Sequence, residues 1–365
     1  DVEGFEYIPL LNYISHNDLC TLINMAEGSG NYYDPVEIYM TGNEVLDADM
    51  YALSSSFTLS LFKCLLGNSG DIDEWADIVI TDAVALTYSK AGVDQTNPNT
   101  WKLSRGLTLY SVYDTLKTLK TNGDVGRAVS AMTSNSLYEE RLGVGTRMSR
   151  NDVTRLVMGN EDYQKAIDLC IAKTSRYFEK SGVRASVFRN RIVLEDIINS
   201  KLVVCSFGMA GKSENSVDPI QMALMQLYAS NISHIRSIFS KHAGKFNFKL
   251  WEEFQRWGGF PDADKTINVA LTGGRKLGDV NIIITNKVRD MLEDDKFGVF
   301  SNITSIAVGA IGDAEVRHNL CSRLSIPQME QELDAIAYNN KDLSAYIDGD
   351  TLTKNPYMKA FLIGL

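Results

Sequence analysis

Lys245-Phe246-Asn247-Phe248-Lys249-Leu250-Trp251-Glu252-Glu253 alternates apolar and polar residues until it meets two adjacent carboxylates. Farther on, Val280-Asn281-Ile282-Ile283-Ile284 runs apolar into Thr285-Asn286. Alternation with period two predicts a strand for the first stretch, and a short apolar run predicts a buried strand for the second. Both place polar chemistry at a strand tip.

The flanks extend this pattern. Leu202-Val203-Val204-Cys205-Ser206-Phe207 is a third apolar run of strand length. A helical spacing follows in Ile220, Leu224, Leu227, Ile235 and Ile238, with Pro219 at its start and Ser216 or Asp218 as N-cap. A helix is predicted over 262–272, a short one near 288–293, and a strand at Ser305-Ile306-Ala307-Val308-Gly309. Strands alternating with helices predict an α/β fold, a mostly parallel sheet flanked by helices. Parallel strands put their carboxyl ends on one edge, where ligands bind. Residues 208–213, Glu252-Glu253 and Thr285-Asn286 are therefore expected to share that edge.

The 365 residues suit one large domain or two ordinary ones, and the net charge of −10 argues against a surface coated for nucleic acid. Five cysteines, far apart and odd in number, point to a reduced, intracellular chain. No apolar stretch approaches the ~20 residues that span a bilayer, and no signal peptide opens the chain. Because Asp1 is the first residue, the chain is read as beginning inside a longer protein; Met358-Lys359-Ala360-Phe361-Leu362-Ile363-Gly364-Leu365 reads as a strand at its end.

Taken in order, Leu19-Cys20-Thr21-Leu22-Ile23 reads as either strand or short helix. Gly28-Ser29-Gly30 and Tyr32-Tyr33-Asp34-Pro35 mark a loop and a turn. Helical spacing covers 48–66 and 72–90, and then 110–119, 125–132 and 163–178. Strand signals are sparse between 45 and 185. The predicted organisation is the start of a sheet domain over 1–45, a helical subdomain over 46–185 and the rest of the sheet domain over 186–365.

Glu252-Glu253 suits metal and water chemistry: one carboxylate holds magnesium, directly or through water, while its neighbour deprotonates a water. The same pair would also suit the first turn of a helix over 252–257, where negative charge complements the dipole. Gly208-Met209-Ala210-Gly211-Lys212-Ser213 invites a phosphate-loop reading. However, the pattern's first glycine falls on Ser206 and the next helix starts late, so a plain connection is the simpler reading. Gly273-Gly274-Arg275-Lys276 reads as a basic helix end capped by glycine, or as an arginine offered to a phosphate. The four histidines show no metal spacing, and Asp348-Gly349-Asp350 lacks the other ligands of a calcium loop.

The order of several motifs resembles that of the cytoplasmic ATPase of conjugative type IV secretion systems, as found in Gram-positive bacteria. These motifs are Asp1-Val2-Glu3-Gly4-Phe5-Glu6-Tyr7, Tyr32-Tyr33-Asp34-Pro35, Leu250-Trp251-Glu252-Glu253-Phe254, Gly274-Arg275-Lys276 and Ile284-Thr285-Asn286-Lys287-Val288-Arg289-Asp290. The resemblance covers 1–40 loosely and 200–322 well. It implies a RecA-like motor domain using ATP and Mg2+, with Glu252 at the metal, Glu253 as the water-activating base and Arg275 as a finger beside Lys276. Thr285 and Asn286 would be the nucleotide sensor, followed by Asp290. It also implies a hexameric ring beneath the inner face of the cell membrane, working with other secretion components on a DNA–protein transfer substrate. Three departures stand out. Glu252 replaces aspartate, Asn286 replaces glutamine, and the family's phosphate loop would precede Asp1. The alternatives are a non-catalytic scaffold of the conjugation machinery and a ring DNA translocase outside secretion.

Overall fold

The computed structural model describes residues 20–24, 31–67, 74–122, 161–182, 184–188, 190–206, 219–293, 297–302, 305–309, 311–334 and 362–364. They fall into two compact units, one of Asp1–Glu252 with Gly258–Ile282, the other of Glu253–Trp257 with Ile283–Leu365.

In the first unit, strand β1 (Cys20–Asn24) resolves the ambiguous 19–23 run as a strand; β2 is Asn31–Tyr33. β1 pairs parallel with β4 (Leu202–Ser206), and β2 pairs parallel with β3 (Asn190–Ile192), a strand with no clear sequence signal. β5 (Asn247–Trp251) pairs with β6 (Asp279–Ile283). There the Asn247 N–H donates to Gly278 O at 3.4 Å and the Trp251 indole to Asn281 Oδ1 at 3.0 Å, so the two strands advance together and are parallel. Among the described residues these remain separate parallel pairs rather than one continuous ladder.

Between β2 and β3 the described chain is helical: α1 (Glu44–Asp47), α2 (Met50–Leu66), α3 (Glu74–Lys90), α4 (Leu109–Asn122) and α5 (Glu161–Phe178). Helix α3 is buried on several sides, through Ala76, Val79, Ile80, Ala83, Val84 and Leu86. A helix apolar almost all round belongs inside a bundle, and α2, α4 and α5 pack on it. Aromatic side chains join this bundle to the strands. Tyr33 of β2 meets Tyr228 edge-on at 5.4 Å and stacks on Phe57 at 6.2 Å, while Phe178 stacks on Phe188 at 5.5 Å. Asp34, just past β2, accepts the Leu109 N–H at the start of α4 at 2.8 Å. Its carboxyl is almost fully buried, and burial pushes its pKa up to about 7 against the opposing pull of Arg191, whose Nε lies 3.9 Å away.

After β3 come α6 (Leu194–Asn199) and, following β4, the long α7 (Pro219–His242), which carries Tyr228 and packs on α2, α6 and α8 (Pro261–Leu277). Helix α8 corrects the expected end of its segment. It continues through Gly273-Gly274 to Leu277, and Gly278, at φ +80°, is where it stops. Gly274 is there for clearance: a Cβ would lie 2.5 Å from Asp279 Oδ2.

The β5–β6 pair also turns polar side chains inward. Asn247, Lys249 and Trp251 face inward, whereas Phe246 and Phe248 are 75% and 70% exposed, and Val280 and Ile282 are partly exposed. The run at 280–284 is thus not a fully buried strand. The cause is a polar network under the sheet. Lys249 Nζ lies 2.5 Å from Asp279 Oδ2, the Ser237 hydroxyl donates to the same oxygen at 2.8 Å, and Asn247 Nδ2 lies 3.4 Å from Oδ1. Burial pulls the Lys249 pKa down and the Asp279 contact pushes it back up.

In the second unit, α9 (Val288–Glu293), α10 (Val299–Asn302), β7 (Ile306–Val308), α11 (Ala314–Arg323) and β8 (Leu362–Gly364) follow one another, with β7 and β8 antiparallel. Val308, Leu320, Cys321 and Leu333 form its core, and Asp313 caps α11 by accepting from the Glu315 and Val316 N–H groups. None of the five cysteines is in a disulfide. Among the described residues no helix is long and apolar enough to cross a membrane. Asp1-Val2-Glu3-Gly4-Phe5-Glu6-Tyr7, Gly28-Ser29-Gly30, the 125–132 helix, the 208–213 loop with the caps Ser216 and Asp218, and Asp348-Gly349-Asp350 lie outside the described residues.

Candidate functional site

The second unit begins where β5 ends. The Phe254 N–H donates to Ile284 O at 3.1 Å, and the Phe254 ring packs edge-on against Phe297 at 5.5 Å. This anchoring lets the chain turn sharply. Glu253 adopts a left-handed backbone, φ 50° and ψ 45°, and Phe254–Arg256 form one 3-10 turn closed by Arg256 N–H to Glu253 O at 2.9 Å and Trp257 N–H to Phe254 O at 3.0 Å. A left-handed glutamate is uncommon, and such residues cluster where function fixes the backbone. The single turn also replaces the 252–257 helix. Glu253 stands at the N-cap of that turn without capping it.

The Glu253 carboxylate is turned instead toward Thr285-Asn286. Asn286 Nδ2 donates to Oε1 at 2.8 Å, and Gln255 Nε2 donates to Oε2 at 2.6 Å. Arg256 Nε lies 3.5 Å from Oε2. Gln255 then closes the ring of contacts: Nε2 also reaches Asn286 Oδ1 at 3.1 Å, and Oε1 accepts the Thr285 hydroxyl at 2.7 Å. Thr285 Oγ1 accepts the Lys287 N–H at 3.1 Å, which sets the bend into α9. Glu253 is half-buried and Asn286 exposed, so the cluster is open to a ligand or water.

Of the expected site residues, the structure brings Glu253, Thr285 and Asn286 into one hydrogen-bonded cluster. Glu252 is the last residue of the first unit's main segment and is half-buried. Lys276 and Arg275 are on α8, in the last turn of a helix and not in a loop; Lys276 is exposed, its carbonyl accepting from Lys241 Nζ at 2.9 Å, and the Arg275 side chain lies outside the described residues. Asp290 is exposed in the first turn of α9. Sequence reasoning missed Gln255 and Arg256. Their signal was position: polar residues two and three places past a strand-tip acid return to it when the chain turns at once.

Among the described residues, no group of three or more His, Cys, Asp or Glu side chains could hold a metal ion. A chelating protein cage is therefore not what these residues offer. One strand-tip carboxylate with hydroxyl and amide donors nearby suits magnesium that arrives on a phosphate, since that ion keeps its waters and takes only one or two carboxylates.

A solved structure of VirB4 of Thermoanaerobacter pseudethanolicus is similar to this chain, with a TM-score of 0.54 and 16% identity over 91% of this chain and 74% of that one. No family model matches, and no curated protein matches by sequence. At that identity the likeness is one of fold, and the chain has a VirB4-like α/β fold with short parallel strand pairs.

Proposed function

We propose that this chain is the motor portion of a type IV secretion ATPase, coupling ATP hydrolysis to the transfer of DNA or protein. The observation that carries this reading is Glu253: a left-handed strand-tip glutamate whose carboxylate is aimed by Asn286 and Gln255, in a fold shared with VirB4. ATP with Mg2+ would supply the reactive anhydride and the charge that offsets its negative oxygens. The protein's residues do the rest. Glu252 takes a magnesium position, and Glu253 accepts the proton of an attacking water. Thr285 and Asn286 offer a hydroxyl and an amide to a terminal phosphate, while Arg275 and Lys276 serve a nucleotide held by a neighbouring subunit. The working form is a homo-oligomeric, hexameric ring at the inner face of the cell membrane, engaging other secretion components and a DNA–protein substrate.

Calorimetry with ATP and Mg2+, on this chain and on a version extended upstream as far as its gene allows, tests the reading. Binding by the extended version alone supports a phosphate loop before Asp1. Hydrolysis should then fall by about 10²–10⁴-fold in Glu253→Gln, and a variant that keeps its rate would sink the assignment of the base. A second reading, a non-catalytic scaffold of the same machinery, draws on the fact that both Glu253 oxygens already have amide donors. It takes the lead if neither version binds.

A further inference from the structure

We infer that Gln255 is a positioning residue that ties the base to the sensor, so that Glu253 stays linked to Thr285 when a phosphate draws on the Asn286 amide. The inference rests on the reading of Glu253 as base and goes beyond it, because Gln255 belongs to neither motif.

The geometry leaves Gln255 one way to sit. Its Nε2 faces a Glu253 carboxylate oxygen at 2.6 Å and the Asn286 carbonyl at 3.1 Å, both acceptors, while its Oε1 faces the Thr285 hydroxyl at 2.7 Å. Flipping the amide would set oxygen against two acceptors, so the partners fix the orientation. Each end of the side chain therefore holds a different part of the site. Glu253 receives one donor per oxygen, which leaves lone pairs on both for a water. The Thr285 hydroxyl donates to Gln255 and accepts from the Lys287 N–H, so the link continues into the backbone that leads to α9. A phosphate oxygen that draws the Asn286 amide toward itself removes the donor on Oε1. Gln255 then remains as the amide holding the carboxylate on Oε2. Arg256, 3.5 Å from that oxygen, adds charge but no close hydrogen bond.

Two measurements test this, one of them without nucleotide. In the nucleotide-free chain, hydrogen exchange at the Lys287 amide should speed up several-fold in Gln255→Ala, because its acceptor Thr285 loses its own anchor, while exchange in α11 stays unchanged. Unaltered exchange at Lys287 would overturn the link. In the hydrolysing protein, Gln255→Ala should lower kcat by about tenfold or more with KM within about twofold, the signature of a lost orientation rather than lost binding. Gln255→Glu supplies the second arm. It replaces the amide donor with a like charge beside Glu253, so it should lower kcat at least as much as Gln255→Ala. A Gln255→Glu variant that keeps its kcat would count against positioning. If Glu253→Gln is inactive but Gln255→Ala turns over normally, the inference fails while the reading of the base stands. If Glu253→Gln hydrolyses at the full rate, or the unsubstituted protein does not hydrolyse at all, the reading itself fails, and the exchange result alone decides the link.

Discussion

Two carboxylates associated with the β5–β6 pair, one opening β6 and one following β5, sit in hydrogen-bonded networks of opposite character. Asp279, at the start of β6, has a fully buried side chain and is enclosed by Lys249, Ser237 and Asn247. Glu253, just past β5, is half-buried and held by two amides in a strained backbone. A buried charge must be matched completely, since desolvation is the dominant cost, and an unmatched one is expelled or neutralised. An open one can keep unused lone pairs, because water fills them. The first arrangement suits a fixed fold and the second suits chemistry.

The largest expected effect comes from breaking the closed network. Asp279→Ala leaves Lys249 buried without its counter-charge, and should cost about 3–5 kcal/mol in urea unfolding of the first unit. A loss below about 1 kcal/mol would mean that Lys249 escapes to water, and the contrast between the two carboxylates would collapse.

Next is Asp34, a second buried carboxyl, with Arg191 3.9 Å away and Arg191 in turn paired to Glu37 at 2.8 Å. Its folded pKa of about 7 lies above the ordinary 3.8, so the folded state keeps a proton that the unfolded state has already lost. Stability from this group is therefore full below about pH 4 and is lost as pH rises through about 7, a swing of roughly 2–4 kcal/mol. Asp34→Asn, which keeps an acceptor for the Leu109 N–H, should flatten the fall in melting temperature between those limits. An unchanged slope would show that Asp34 titrates as if exposed.

Neighbouring glycines in α8 give a smaller and sharper contrast. Nothing lies within 4 Å of a Cβ built on Gly273, whereas one on Gly274 meets Asp279 Oδ2 at 2.5 Å. Gly273→Ala should stabilise by about 0.5–1 kcal/mol through helix propensity alone. Gly274→Ala should destabilise by about 1–3 kcal/mol, because the carboxylate that must yield is the one clamped by Lys249. Thermal melts of the pair should move in opposite directions.

These glycines also show what the sequence could and could not reveal. Element types were legible wherever the spacing was long: α2, α3, α4, α5 and α7 fall where helical periodicity put them, and the short α9 lies where a helix was expected near 288–293. β3, three residues long, had too little pattern to announce itself. The helix end at Gly273 was misplaced because a glycine needed for clearance and one needed for a left-handed cap look alike in sequence. The phase of β5 is not legible for a related reason. Alternation gives the period, but which set points inward depended on Asp279, more than 25 residues away from Lys249 in sequence, being there to neutralise it. In the candidate site, Glu253, Thr285 and Asn286 were legible as strand tips. Gln255 was not, because its part depends on the left-handed turn at Glu253, which no periodicity encodes.

That turn carries the smallest expected effect on stability and the most diagnostic one. Glu253→Gly relieves a left-handed backbone that costs an L-residue about 1–2 kcal/mol, loses a half-exposed set of hydrogen bonds, and pays glycine's added unfolded entropy of about 0.5–1 kcal/mol. The terms nearly cancel, so unfolding in urea should shift by less than about 1 kcal/mol. A fold that gives up its carboxylate so cheaply is holding it for a purpose other than stability. If the variant instead loses as much as Asp279→Ala, Glu253 belongs with the structural networks, and its amide partners are there to close a contact rather than to aim a base.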